Sequence, residues 1–86
     1  MVEIKYFVIY GTWKPELKDA SGVKKAMAEF AKNVEEAGLK IQFWGSPYGT
    51  KENAICVMKG TVEAYTKITM METPYTDAKT HMVLIW

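Results

Sequence analysis

Residues 3–12 read EIKYFVIYGT, and this stretch decides the fold. It is rich in β-branched and aromatic residues, which predicts a β-strand. Its apolar side chains fall on both alternating parities: Ile4, Tyr6, Val8 and Tyr10 on one, Phe7 and Ile9 on the other. Because successive side chains of a strand point to opposite faces of a sheet, a strand that is apolar on both parities is expected at the centre of the sheet.

Two amphipathic helices are predicted further along the chain. Asp19 and Ser21 are candidate N-caps for the first helix, and Gly38 suits its C-terminal end. Its apolar residues recur at helical spacing and are Val23, Met27, Phe30, Ala31 and Val34. Thr61 is a candidate N-cap for a shorter second helix, which we expect Pro74 to end. The apolar stripe of this second helix is Val62, Tyr65 and Ile68.

Three further strands complete the pattern. They are predicted at residues 39–44 (LKIQFW), 54–59 (AICVMK) and 79–86 (KTHMVLIW), and the polar segment GSPYGTKEN at 45–53 forms a hairpin loop. The order is therefore βαββαβ. With right-handed crossovers this order gives a ferredoxin-like α+β fold, in which a four-stranded antiparallel sheet carries both helices on one face. We predict a single domain over residues 1–86.

The strand residues divide by parity and residue type into two sets. The aliphatic set, expected beneath the helices, is Phe7, Ile9, Leu39, Ile41, Phe43, Ile55, Val57, Val83 and Ile85. The second set, richer in aromatic and sulfur-bearing residues, is Tyr6, Val8, Tyr10, Trp44, Cys56, Met58, Met82, Leu84 and Trp86. No helix remains to cover this second face, and a large uncovered apolar patch marks an interaction surface. We predict that it joins two copies of the chain, lines a ligand cavity between them, or does both.

Composition limits the partners of the protein. The net charge is +1, and all eleven basic residues are lysine, so the arginine fork that reads phosphate and guanine edges is absent. Exposed aromatic residues on such a sheet also occur in RNA-recognition domains, but the third strand, NAICVMKG, has none. No stretch approaches the roughly 20 apolar residues that span a bilayer. We expect neither a nucleic acid nor a membrane partner.

Few residues suggest a catalytic, redox or metal-binding role. Cys56 is the only cysteine and His81 the only histidine, so neither an internal disulfide nor a Cys/His zinc site is available. This cysteine usage predicts a reducing, cytoplasmic location and a buried, inert thiol. No cofactor-binding motif is present, and we predict neither a cofactor nor a metal.

His81 is the candidate catalytic residue, because an imidazole can take up and release a proton near neutral pH. Its parity places it in the helix-facing set. A bulge that shifts the register would instead bring it to the cavity, where Tyr6 or Tyr10 would orient a phenolic or enolic substrate. Residues 13–15 and the hairpin at 45–51 are either the rim of a pocket or ordinary turns.

The opening strand IKYFVIYGTWKPE, the FWG that ends the second strand and the closing HMVLIW resemble small members of the dimeric α/β-barrel superfamily. The resemblance implies a dimer whose protomers stack their sheets, often around a cavity. Superfamily activities include monooxygenation, haem degradation, isomerisation, cyclisation and ligand sensing. The first strand lacks the asparagine of the quinol-type and haem-degrading monooxygenases, and His81 lies on a strand whereas the haem ligand lies on a helix. Both departures argue against those two activities.

Three functions therefore remain open. The first is a small homodimer that binds, and in one version converts, a small hydrophobic or aromatic molecule between its sheets. The second is a structural or regulatory dimer with no ligand. The third is a cyclase, isomerase or monooxygenase that uses His81 and a tyrosine.

Overall fold

The computed structural model describes residues 4–83. Its elements are β1 (Lys5–Trp13), a 3-10 turn (Pro15–Leu17), α1 (Ala20–Glu36), β2 (Lys40–Gly45), β3 (Ala54–Gly60), α2 (Val62–Ile68) and β4 (Tyr75–Val83). The sheet order is β2-β3-β1-β4, and each neighbouring pair of strands is antiparallel. The predicted βαββαβ order and ferredoxin-like α+β topology are confirmed, with β1 in the interior of the sheet.

The helix ends follow from local chemistry. The Asp19 carboxylate accepts a hydrogen bond from the Gly22 amide at 2.9 Å and caps α1, while Ser21 lies inside the helix. Thr61 caps α2 in the same way, through a 3.0 Å bond from the Ala64 amide. Gly38 follows α1 with a φ of 103°, a left-handed conformation that glycine adopts without a steric penalty. The second helix ends at Ile68, well before Pro74.

The core lies between the helices and one face of the sheet. Tyr65 of α2 stacks on Phe7 with ring centroids 4.4 Å apart, and Phe30 of α1 meets the ring of Tyr75 edge-on. The buried hydrophobic cluster consists of Phe7, Ile9, Met27, Phe30, Val34, Ala37, Leu39, Ala54, Cys56, Met58, Ala64, Ile68 and Tyr75. Both helices therefore cover the same side of the sheet, as predicted.

Strand register identifies which side chains share a face, because directly opposed residues of antiparallel strands point the same way. The helix side has two complete rows, Ile41–Met58–Phe7–Met82 and Trp44–Cys56–Ile9–Thr80. The other side has the rows Lys40–Lys59–Tyr6–Val83, Phe43–Val57–Val8–His81 and Gly45–Ile55–Tyr10–Lys79. Within residues 4–83 two irregularities interrupt the ladders: one is the extra residue at Gln42 in β2, and the other is an extra residue in β4 between Thr76 and Lys79, opposite the step from Tyr10 to Thr12 in β1.

The predicted face assignment was wrong for β3. Cys56 and Met58 oppose Ile9 and Phe7, and both are fully buried against the helices. Ile55 and Val57 take the other side. The prediction relied on residue type, which does not distinguish the faces here, because cysteine and methionine are buried as often as aliphatic residues are.

Near the end of β2 the faces are also exchanged. The extra residue at Gln42 shifts the alternation, so that Phe43 faces away from the helices and Trp44 faces them. Leu39 and Ile41, which precede the irregularity, lie on the helix side as predicted. A one-residue bulge reverses every side chain beyond it.

The last strand differs in start and in orientation from the prediction. It begins at Tyr75 rather than Lys79, because β1 and β4 pair again beyond the irregularity in β4, where Trp13 opposes Tyr75. Met82 faces the helix side, opposite Phe7, whereas His81 and Val83 face the other side. The predicted positions of Leu84, Ile85 and Trp86 lie outside the described residues.

Candidate functional site

One face of the sheet is covered by neither helix. We call it the open face, and its apolar and aromatic members are Tyr6, Val8, Tyr10, Phe43, Ile55, Val57, His81 and Val83. Phe43 is 58% exposed and Val83 40% exposed. Val57, at the centre, is only 8% exposed, although it belongs to no part of the buried core cluster. Phe43 and Val8 flank it on the same face, so the three side chains form an apolar row across the middle of the sheet.

The structure brings together part of the predicted set on this face. Tyr6, Val8 and Tyr10 lie here on β1, and their predicted role in binding or dimerisation stays a prediction. Four other predicted members of this face, Trp44, Cys56, Met58 and Met82, lie on the helix side. Phe43, Ile55, Val57 and Val83 take their places.

His81 lies beside Tyr10 at one end of the open face. The two ring centroids are 6.0 Å apart and the ring planes are inclined by 76°, an edge-to-face arrangement. The rings form part of the wall of a cleft of about 320 Å³ whose other lining residues are Thr50, Glu52 and Lys79. An imidazole, a phenol, an amine and a carboxylate therefore meet at the edge of an apolar surface.

The loop between β2 and β3 closes this end of the sheet. It contributes Thr50 and Glu52 to the His81 cleft, and Lys51 and Glu52 to an adjoining cleft that also includes Asp77. Asp77 has a φ of 52°, the left-handed conformation that aspartate tolerates better than most residues. This end of the open face is thus polar, while its centre is apolar.

A second concave site lies on the helix side, where β1, β2 and the start of α1 meet. We call it the tryptophan cleft; its volume is about 470 Å³. Apolar surface comes from Trp13, Trp44 and Val23, and the rim includes Lys18 and Lys24. Tyr48, which was a candidate for the rim, is fully exposed, and Lys51 lies at the open face instead.

Trp13 is held from several directions. Its ring meets Trp44 edge-on with centroids 5.8 Å apart, and it lies against Tyr75 at 5.1 Å. Its backbone N–H donates to the Asn53 side-chain oxygen at 3.0 Å, which ties the end of the β2–β3 loop to β1. The next amide, that of Lys14, donates to the Pro74 carbonyl. The wall of the cleft is therefore fixed by both side-chain and backbone contacts.

The single thiol belongs to the core rather than to either site. Cys56 is fully buried, and burial raises its pKa to about 11, an effect that a hydrogen bond with Tyr75 partly offsets. Burial also raises the pKa of Tyr75, with a further contribution from the neighbouring thiol. The Tyr75 hydroxyl donates to the Met27 sulfur at 3.3 Å. Both groups stay protonated at neutral pH, so the thiol is not a nucleophile there.

Within residues 4–83, no cluster of three histidine, cysteine, aspartate or glutamate side chains is arranged to hold a metal ion. Across the same residues, neither helix is long and apolar enough to cross a membrane.

The sequence matches no protein-family model and no curated protein sequence with which it was compared.

Proposed function

We propose that the chain forms a homodimer through its open face and that the dimer holds a small aromatic or hydrophobic molecule between the two sheets. The observation that carries this proposal is the uncovered apolar row Phe43–Val57–Val8 across the middle of the sheet. Burying a large apolar side chain contributes about 1.5–3 kcal/mol. A second copy, which presents the same surface, covers several such side chains at once.

Charge on the open face restricts how two copies can stack. Lys40 and Lys59 oppose each other at one corner, and stacking this corner on its own copy brings four like charges together. The central residues Val8 and Val57 carry no charge. A twofold axis near these two residues keeps the lysine corners apart and covers the apolar row.

The polar end of the open face supports a ligand between the sheets. In the dimer, the cleft beside Tyr10 and His81 would lie at the edge of the buried surface, with the Ile55 side chain next to Tyr10 across the strands. An aromatic body would rest on Ile55 and the Tyr10 ring, and a polar substituent would reach His81 or Lys79. Ligand sites of this kind combine apolar walls with a few polar groups.

Sedimentation equilibrium at micromolar concentration tests the dimer. The wild-type chain is expected to sediment as a dimer and Val8→Lys as a folded monomer, because lysine at the centre of the face would be buried against its copy. Lys25→Ala, on the exposed surface of α1, is the matched control and should remain dimeric. A wild-type monomer would refute the proposal.

The space between the sheets then distinguishes a binding dimer from a purely structural one. A crystal structure of the dimer with a void at the Tyr10 end, together with native mass spectrometry that detects a bound small molecule, is the expected result. A closely packed interface with no void would favour the structural or regulatory dimer.

The contact between Tyr10 and His81 favours one enzymatic alternative, an isomerase that moves a proton. In this version the imidazole takes a proton from the carbon beside a carbonyl, while the Tyr10 hydroxyl donates a hydrogen bond to the carbonyl oxygen. With a β,γ-unsaturated ketone as substrate, the imidazolium then returns the proton to the γ-carbon of the dienolate, which moves the double bond into conjugation, so the atoms balance without an oxidant. Exchange of the α-hydrogens of an aryl ketone in D₂O provides the assay. His81→Gln should reduce the exchange rate about 10²- to 10⁴-fold, and an unchanged rate would exclude this version.

A further inference from the structure

The tryptophan cleft has the shape and composition of a ligand site separate from the one that we propose at the open face. Its volume of about 470 Å³ lies within the range of small-molecule pockets. Trp13 and Trp44 present their rings at an inclination of 82°, so together they form two sides of a corner. A flat ring placed in such a corner meets one indole face-on and the other edge-on, and both are favoured aromatic geometries.

The corner is built in advance of any ligand. A series of ring contacts runs from Trp44, which is 37% exposed, to Trp13, and from there through Tyr75 to the buried Phe30. The hydrogen bond from the Trp13 amide to Asn53 fixes the backbone at the same point. Because the wall is already ordered, binding a ligand would lose little conformational entropy of the protein, which favours affinity.

The rim of the cleft is positively charged. Lys18 and Lys24 make no ion pair within the described part of the chain, whereas Lys14 is paired with Glu72 at 3.4 Å. The only carboxylate in the lining is that of Asp19, which is engaged by the Gly22 amide as the cap of α1. The cleft thus offers two free ammonium groups beside an aromatic corner.

We propose that the tryptophan cleft binds a planar aromatic carboxylate, with its ring in the corner formed by Trp13 and Trp44 and its carboxylate at Lys18 and Lys24. The site lies on the opposite side of the sheet from the open face. It does not depend on dimerisation or on the chemistry at His81.

The proposal is tested by following the indole N–H signals of Trp13 and Trp44 in the ¹⁵N-labelled full chain. The probe is naphthalene-2-carboxylate, compared with naphthalene-2-carboxamide, which lacks the charge, and cyclohexanecarboxylate, which lacks the aromatic ring. We expect saturable shifts of both indole signals with the naphthoate at millimolar concentration or below. Each comparison compound should bind about threefold to tenfold more weakly, the size of effect given by one or two exposed ion pairs or an aromatic contact.

Two sets of variants distinguish the contribution of the two indole rings to naphthoate binding from that of the two lysines at the rim. Trp44→Ala removes one wall and should weaken naphthoate binding about tenfold. Its matched control is Tyr48→Ala, which removes a fully exposed aromatic ring that does not line the cleft and should leave binding unchanged. The double variant Lys18→Gln/Lys24→Gln should remove the preference for naphthoate over the amide, whereas Lys25→Gln/Lys32→Gln, with the same loss of charge elsewhere on the surface, should retain it.

Three results would overturn the proposal. One is the absence of any saturable shift at millimolar naphthoate. Another is equal affinity for the acid and the amide in the wild-type protein. The third is a set of shifts confined to the backbone amide signals of Tyr10 and His81, which would place the ligand on the open face. Failure of the dimer proposal leaves the two indole readouts unchanged, because Trp13 and Trp44 lie on the other side of the sheet from the open face.

Discussion

The ring of Tyr10 lies edge-on to the imidazole of His81, although one residue belongs to the first strand of the chain and the other to the last. The antiparallel pairing of β1 with β4 causes this contact, because His81 opposes Val8 and Tyr10 opposes Lys79. The same register places the imidazole on the open face. A protonatable ring and a phenol therefore share the surface that we propose to be the dimer interface.

The contact between Tyr10 and His81 can be checked directly by NMR. Replacing Tyr10 with leucine removes the aromatic ring and its ring current, so the imidazole carbon-bound proton signals should move toward the positions typical of an unfolded chain. Tyr6→Leu is the matched control, because Tyr6 lies on the same strand and face but opposes Val83. Equal shifts in both variants would show that Tyr10 is not the neighbour of His81.

Lysine substitutions at Tyr6 and Met58 test the register of the sheet. Tyr6 lies on the open face, so the long aliphatic stem of lysine can lie along the sheet while its amine reaches water. We expect a folded Tyr6→Lys protein that no longer dimerises. Met58 is fully buried beneath the helices. Loss of its packing alone costs about 2–5 kcal/mol, and a buried charge adds to this, so Met58→Lys should not fold.

Circular dichroism and sedimentation distinguish the two outcomes. A cooperative unfolding transition with a monomer mass is expected for Tyr6→Lys, and no cooperative transition for Met58→Lys. The reverse result would mean that β3 presents its other face to the helices.

The thiol of Cys56 should be unreactive in the folded protein. It is inaccessible to solvent, and its raised pKa keeps it protonated at neutral pH. Iodoacetamide at neutral pH should modify it only after denaturation with urea, as measured by mass spectrometry. The double variant Cys56→Ala/Thr50→Cys moves the thiol to the exposed loop and should react at once. Rapid modification of the native wild-type chain would contradict the buried placement.

The sequence patterns predicted the topology and both helices because these depend on long periodic segments and on caps such as Asp19 and Thr61. They did not predict which side of β3 and β4 the helices cover, since parity sorts residues into two sets without saying which set is inside. Charge provides the missing signal. Lys59 shares its parity with Val57, and Lys79 shares its parity with His81. An isolated lysine is rarely buried, so these two parities belong on the side away from the helices.

No comparable feature of the sequence predicts that Phe43 and Trp44 exchange faces. The exchange depends on the irregularity at Gln42, and nothing in the residues KIQFW marks where the extra residue is placed. The tryptophan cleft was predicted only in part: residues 13–15 were candidates for the rim of a pocket and do line it, but Trp13 and Trp44 meet only after this shift. Gly22 shows a further close approach that no pattern reveals: a Cβ at this position would lie 2.0 Å from the Leu17 carbonyl oxygen.

The buried pair Cys56 and Tyr75 should make the folded protein less stable at alkaline pH. The pKa of the Cys56 thiol is raised from the ordinary 9.0 to about 11. Between these values the unfolded chain loses the thiol proton while the folded chain keeps it, so ionisation favours the unfolded state. The stabilisation is fully present below pH 9.0 and is lost as the pH rises through about 11. A shift of this size corresponds to about 2–3 kcal/mol.

Urea unfolding of the wild type and of Cys56→Ala over this pH range isolates the contribution of the thiol. Alanine has no proton to lose, and the exposed lysines titrate alike in both proteins, so their effects cancel in the comparison. We expect the free energy of unfolding to fall with pH more steeply in the wild type, by about 2–3 kcal/mol in total. The raised pKa of Tyr75 acts in the same direction and should leave a residual alkaline slope in Cys56→Ala. Parallel curves would show that the thiol gains no protonation on folding, which is incompatible with its burial beneath the helices.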